Sequence, residues 1–243
     1  MKKITNKLLF SGLTVIFILM VVGVLAWFTY YDNDRSHQTK QDDYDETEKV
    51  ETRELEAFDA IENNGMCNIV YVQSEKSAVE ITAPANYIDR FETDVDDGVL
   101  RIDYNGKLRK NSTDDFDNFN IKVYSPTCKS IKNEGIGKIT CDSLCTDTLI
   151  VRNEGLGSIE LNKLTVSHLR ADNEGVGKIE LNDVDAKYVR LDNEGLGSVS
   201  ITGKAETAKL INEGVGKVDA SGLDCEDVGL SNEGLGKVVT KNM

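Results

Sequence analysis

Six times in its second half the chain repeats one pentapeptide, Asn-Glu-Gly-aliphatic-Gly, beginning at Asn133, Asn153, Asn173, Asn193, Asn212 and Asn232. The intervals are 20, 20, 20, 19 and 20 residues, and the single 19 reads as one residue deleted in the Gly203 to Lys209 turn. Spacing this regular means that one supersecondary unit is stacked on copies of itself. In the second copy Leu149, Val151 and Asn153 share one face and Ile159 and Leu161 another, while Arg152, Glu154 and Glu160 alternate outward. Alternation with period two specifies strands, not helices. Short strands that each meet their equivalent 20 residues later form a parallel β-helix, because the turns of a sandwich do not recur at one interval. The predicted fold is all-β, a single-stranded parallel β-solenoid with 20-residue coils over residues 131–243, preceded by less regular coils over 55–130.

The motif supplies the candidate functional positions. Its asparagines fall in phase with the inward apolar residues, which predicts a buried ladder of amides hydrogen-bonded from coil to coil. Its glycine pairs are Gly135 and Gly137, Gly155 and Gly157, Gly175 and Gly177, Gly195 and Gly197, Gly214 and Gly216, and Gly234 and Gly236. They are expected to make the bend through positive φ. The glutamates point outward, and carboxylates stacked about 4.8 Å apart repel one another. They are expected to be solvated, to be neutralised by Arg152, Arg170, Arg190, Lys138, Lys178 and Lys217, or to bind a divalent cation weakly together with outward Asp172 and Asp192. The pattern lacks the aspartate-bearing nonapeptide of calcium-binding β-rolls.

Upstream, Asn68–Val72, Ala78–Thr82, Val99–Asp103 and Phe119–Tyr124 also read as strands, and Asp94-Val-Asp-Asp-Gly98 as a tight turn between two of them. Ile61-Glu-Asn-Asn-Gly65 resembles a degenerate first copy of the motif. Gly106–Asp117 is polar and predicted to be a loop, and Asn111-Ser-Thr within it fits a glycosylation sequon.

Leu8–Phe28 carries no charge over 21 residues, enough helix to cross about 30 Å of hydrocarbon. With Lys2, Lys3 and Lys7 before it and acidic residues after it, the positive-inside bias predicts a single-pass anchor. Residues 1–7 would be cytoplasmic, 8–28 the transmembrane helix and 29–54 an acidic, disordered stalk leading to an extracytoplasmic domain. Trp27, Tyr30 and Tyr31 suit the outer interface. Val24-Leu25-Ala26 also fits a signal-peptide cleavage site, the competing reading.

Forty-two acidic residues against 28 basic ones, a formal charge of −14, argue against a nucleic-acid partner. Of two histidines, His37 lies in the stalk and His168 at an outward solenoid position, and neither sits in a metal-ligand cluster or beside a nucleophile motif. Catalysis needs a distinguished pair of groups, whereas six equivalent glutamates look structural, so the chain is expected not to be an enzyme and to use no cofactor. The five cysteines, Cys67, Cys128, Cys141, Cys145 and Cys225, leave at least one unpaired; Cys141 is in phase with inward Leu161, and bridges from Cys145 to Cys141 or to Cys128 stay open.

From Phe58 to Val239 the chain resembles the putative auto-transporter adhesin family with the head GIN domain. The residues that carry the resemblance are Phe58-Asp-Ala-Ile61 with Gly65 and Val70, Gly98-Val-Leu-Arg-Ile102, Tyr124-Ser-Pro126 and the Gly-x-Gly strands. The family usually places serine before and between the glycines, where this chain has Asn-Glu and an aliphatic residue. The resemblance implies a β-solenoid domain at a bacterial surface and brings no catalytic residues. The leading expectation is a noncatalytic, membrane-anchored surface module that binds a protein or glycan, or its own copies, through the last coil at Asn232–Thr240. An envelope sensor and a glycan-active β-helix enzyme are the alternatives.

Overall fold

The computed structural model describes residues 47–106 and 119–241, which lie in a unit spanning Asp45–Met243. The expected tail, transmembrane helix at 8–28, most of the stalk, and the Asn111 sequon lie outside the described residues. Among the described residues no helix is long and apolar enough to cross a membrane.

Seven strands and one turn of helix come first: β1 (Glu48–Glu54), β2 (Ala60–Asn63), β3 (Asn68–Gln73), β4 (Ala78–Pro84), α1 (Ala85–Ile88), β5 (Phe91–Asp96), β6 (Val99–Tyr104) and β7 (Asn120–Ser125). The regular coils follow as β8 (Ser130–Asn133), β9 (Lys138–Cys141), β10 (Leu144–Asn153), β11 (Ser158–Asn173), β12 (Lys178–Asn193), β13 (Ser198–Asn212), β14 (Lys217–Asp224), β15 (Asp227–Asn232) and β16 (Lys237–Thr240). Every pairing from β8 onward is parallel, and β11 meets β12 at an offset of 20 residues from Ser158↔Lys178 to Asn173↔Asn193. The described unit is thus an all-β solenoid.

Identical positions stack into columns. One inward column runs Ile69, Ile139, Ile159, Ile179, Val199 and Val218, and another Ile61, Ile131, Val151, Ala171, Leu191 and Leu210. All are fully buried, so each coil's apolar stripe is covered by its neighbours rather than by a separate layer.

Several expectations are corrected. The acidic stalk does not extend to residue 54: Glu48–Glu54 is a strand, paired antiparallel with β4 from Glu48↔Pro84 to Glu54↔Ala78. Its Arg53 guanidinium donates to the carbonyl of Phe91 at 2.7 Å, tying the strand to the solenoid body. The early coils are not purely parallel either, since β4 runs antiparallel to β7 and β5–β6 is a hairpin. Its turn places Asp97 at φ 51° and Gly98 at φ 77°, the pair of positive angles that a two-residue turn matched to strand twist requires. The deleted residue lies between Ile201 and Gly203, ahead of the expected turn: pairing shifts from Leu181↔Ile201 to Val184↔Gly203. That is the solenoid's second corner, where Lys163, Asp183 and Gly203 take φ of 48°, 55° and 121°.

Candidate binding face on the glycine corner

The Asn-Glu-Gly-aliphatic-Gly corner stacks each of its five positions into a column along the axis. Innermost are the asparagines. Asn63 Nδ2 donates to Asn133 Oδ1 at 2.8 Å, and the same bond continues from Asn133 to Asn153, Asn153 to Asn173, Asn173 to Asn193, Asn193 to Asn212 and Asn212 to Asn232 at 2.8–2.9 Å. The chain of amides runs in one direction and ends where Asn232 Nδ2 donates to the Gly236 carbonyl. Asn63, in the degenerate first copy, starts it. A buried amide without partners costs about 1–3 kcal/mol, which explains why every coil must supply one.

The glycine pairs do not act as expected. Of the twelve, Gly137 alone has positive φ. The requirement is proximity: a Cβ on Gly155 would fall on the Gly135 carbonyl, one on Gly177 on the Gly157 carbonyl, and one on Gly216 on the Gly197 carbonyl. The corner backbones themselves hydrogen-bond from coil to coil, with Glu154 N and Gly155 N donating to Asn133 O at 2.9 and 3.1 Å and Leu156 N to Gly135 O at 3.2 Å. A side chain on either glycine would force the coils apart.

The residue between the glycines is therefore aimed at solvent. Ile136, Leu156, Val176, Leu196, Val215 and Leu235 form an exposed aliphatic ridge, with Leu156, Leu196 and Leu235 at 63, 64 and 89% exposure. Five coil-to-coil steps of about 4.8 Å make it about 24 Å long. Beside it runs an open groove of about 880 Å³, floored by the second glycines and bordered on the far side by Lys138, Ser158, Lys178, Ser198, Lys217 and Lys237. A continuous apolar strip between polar columns is what monomeric surfaces avoid and contact surfaces use.

On the other side of the ridge stand the glutamates. Lys132 reaches Glu134 and Glu154, but among the described residues no basic group lies within ion-pair distance of Glu174, Glu194, Glu213 or Glu233. The expected neutralising residues are engaged elsewhere: Lys138 holds Glu160, Lys178 holds Glu180, Lys217 holds Asp219, and the arginines hold aspartates. Partial burial, and then the charges of Glu174 and Glu213, push the Glu194 carboxyl above its usual range.

Asp172 and Asp192, expected to be open to solvent, are covered. Arg170 Nε donates to Asp172 Oδ1 at 2.8 Å, Arg152 Nε to Asp172 Oδ2 at 3.3 Å and Arg190 Nε to Asp192 Oδ2 at 2.7 Å, leaving the two carboxylates 7 and 6% exposed. An outward position became a buried one because the long arginine two residues earlier in the same strand folds over it, joined at Asp172 by Arg152 of the preceding coil. Among the described residues no cluster of three or more His, Cys, Asp or Glu side chains is arranged to hold a metal ion.

The second corner carries a ladder that the repeat motif did not point to: Asn182 Nδ2 donates to Asn162 Oδ1 at 3.0 Å and Asn162 Nδ2 to the Cys141 carbonyl at 3.3 Å. Their 20-residue separation was the available signal. His168 is exposed and its ring lies 6.4 Å from that of Tyr188. All five cysteines are free thiols; Cys67, Cys128 and Cys141 are buried, and burial pushes Cys67 and Cys128 up to about 12 and Cys141 to about 11. Those three are small core side chains rather than nucleophiles.

The same architecture occurs in solved structures. A putative adhesin from Parabacteroides distasonis superposes with a TM-score of 0.70 at 23% identity, covering 80% of this chain and 82% of that one. A putative adhesin from Bacteroides fragilis gives 0.61 at 22% identity over 79% and 96%. A putative lipid binding protein from Parabacteroides distasonis gives 0.63 at 17% identity over 81% and 98%. Comparison with the curated proteins finds no match. At these identities the superpositions speak for the fold alone, whereas the sequence model of one family covers residues 57–241, from just before the strand that starts the asparagine ladder to just past β16. The chain belongs to the family described as putative auto-transporter adhesin, head GIN domain.

Proposed function

We propose that this protein is a noncatalytic, membrane-anchored, adhesin-like module of the cell surface, and that the aliphatic ridge of the glycine corner is its macromolecular contact face. The observation that carries this is the ridge itself. Six aliphatic side chains on consecutive coils are held in solvent, although the same fold would accept serine or threonine there at no packing cost. The family description and the adhesin relatives support a surface role, and the apolar run at Leu8–Phe28 after Lys2, Lys3 and Lys7 supports an anchor with the solenoid outside. The noncatalytic reading rests on equivalence: stacked glutamates offer no distinguished acid–base pair, and His168 stands alone on another face.

Site-specific photo-cross-linking in living cells tests the contact face. A photoreactive residue at Leu196 of the full chain should yield adducts of higher mass, and the same residue at His168 should not. Equal yields from the two positions, or none from Leu196, overturn the reading. Protease added to intact cells tests the topology, since the solenoid should be cleaved or released only if it lies outside.

A further inference from the structure

We infer that the occupant of this face is a second copy of the same chain, with the two solenoids lying side by side and parallel. The inference rests on the ridge being a contact face, and adds what it contacts.

The order of the columns carries the argument. Across the corner they run carboxylate (Glu174, Glu194, Glu213), ridge (Val176, Leu196, Val215), glycine-floored groove, and lysine-bearing border (Lys178, Lys217). A twofold axis parallel to the solenoid axis reverses this order in the facing copy. Each ridge then enters the other's groove, and each carboxylate column lies next to the other's lysines. A twofold axis that crosses the solenoids instead keeps the order, sets ridge on ridge and groove on groove, and brings carboxylates against carboxylates. Self-complementary shape and self-complementary charge therefore select the same arrangement, the isologous parallel one.

Charge supports this occupant over a foreign one. Glu174, Glu194 and Glu213 lack a basic partner among the described residues, and Lys178 and Lys217, themselves exposed, each hold only one half-buried carboxylate with a head group that has three donors. A cationic, apolar strand from another protein would answer the glutamates and leave the lysine border unmet. Backbone pairing plays no part, because the corner N–H groups at Leu156, Val176 and Leu196 already bond to the coil before them. The contact is made by interdigitated side chains, as between the sheets of a steric zipper.

A ridge about 24 Å long makes a contact at the small end of specific interfaces, so free copies should associate weakly. Parallel packing puts the first coils of both copies at the same end. Two chains tethered to one membrane by their N-terminal segments can adopt it, and tethering raises their effective concentration.

The test uses the full chain in its membrane, in a Cys145→Ser/Cys225→Ser background that removes the two thiols not buried. Leu156→Cys and Val215→Cys are introduced separately and treated with a mild oxidant, which takes two electrons and two protons from each thiol pair. Parallel docking predicts a covalent dimer from each variant alone. Antiparallel docking overturns the inference and is recognised by dimer only when the two variants are mixed, because Leu156 of one copy then faces Val215 of the other. Glu174→Lys/Glu213→Lys in the same variants should lower the dimer yield several-fold, and co-expression with a copy carrying Lys178→Glu/Lys217→Glu should restore it; an unchanged yield overturns the charge argument. If neither cysteine variant cross-links while Leu196 still forms photo-adducts of another mass, self-docking fails and the contact face stands. If Leu196 forms none, both fail.

Discussion

The two ends of the solenoid solve one problem by opposite means. In residues 47–106 and 119–125 the strands are partly antiparallel and the interior is filled by a few large rings: Phe119 is fully buried, with the rings of Tyr87, Phe91 and Tyr104 at 5.4, 5.3 and 5.5 Å. From β8 onward there are no buried rings among the described residues. The interior is aliphatic, and polar order comes from amides bonded to their own copies. A repeat can only use side chains that stack on themselves at one coil spacing, and a Val, Leu or Asn column does so where a cluster of edge-on rings does not. The early coils, freed from repetition, can close the end of the stack, with α1 and the β5–β6 hairpin as added parts.

If that contrast is right, the largest effect comes from the aromatic end. Phe119→Ala should cost about 3–5 kcal/mol of stability by chemical denaturation. Hydrogen exchange should show protection lost in β4–β7 while the amides of β11–β13 keep theirs, as expected when units interact only with neighbours. Simultaneous loss in both regions would mean that the ends are not separable.

Within the repeats the glycines come next. Gly177→Ala should cost about 3 kcal/mol, because the Cβ has to displace backbone of the preceding coil. Gly229→Ala meets nothing nearer than the Ala208 carbonyl at 3.9 Å and should shift stability by no more than about 0.5 kcal/mol. Equal costs for the two would show that proximity is not what the repeat glycines serve.

Asn173→Leu should follow at about 1–3 kcal/mol, since it strands the Asn153 amide donor and the Asn193 acceptor. Glu174→Gln on the solvent side of the same corner should be close to neutral in thermal unfolding.

The smallest expected effect is electrostatic. Glu194 binds its proton more readily folded than unfolded, so its contribution to stability grows as pH falls through its raised value and is lost as pH rises. Glu160, held low by its hydrogen bond to Lys138, works in the opposite sense, its contribution being lost on acidification. Glu194→Gln should thus raise the Tm at about pH 7 by no more than about 2 °C and bring no gain near pH 4. A gain of equal size at both would remove the like-charge column as its cause.

The repeat interval and its period-two alternation determined strand, solenoid and inward asparagine, because a ladder of equivalent positions needs only phase, and phase is written in the sequence. Phase could not tell how close the coils come. Only stacking showed that the glycines are there for carbonyls of the neighbouring coil, that Arg152, Arg170 and Arg190 fold over Asp172 and Asp192, and that Lys178 turns to Glu180 rather than to Glu174. Which way a long side chain leans is decided by what stands two residues along its own strand as well as one coil away: Arg170 takes Asp172 in its own coil, and Arg152 reaches the same carboxylate from the coil before. The ridge shows the same division: the aliphatic residue between two glycines is plain in the sequence, but its exposure follows from a corner packed so tightly that the side chain can only point out.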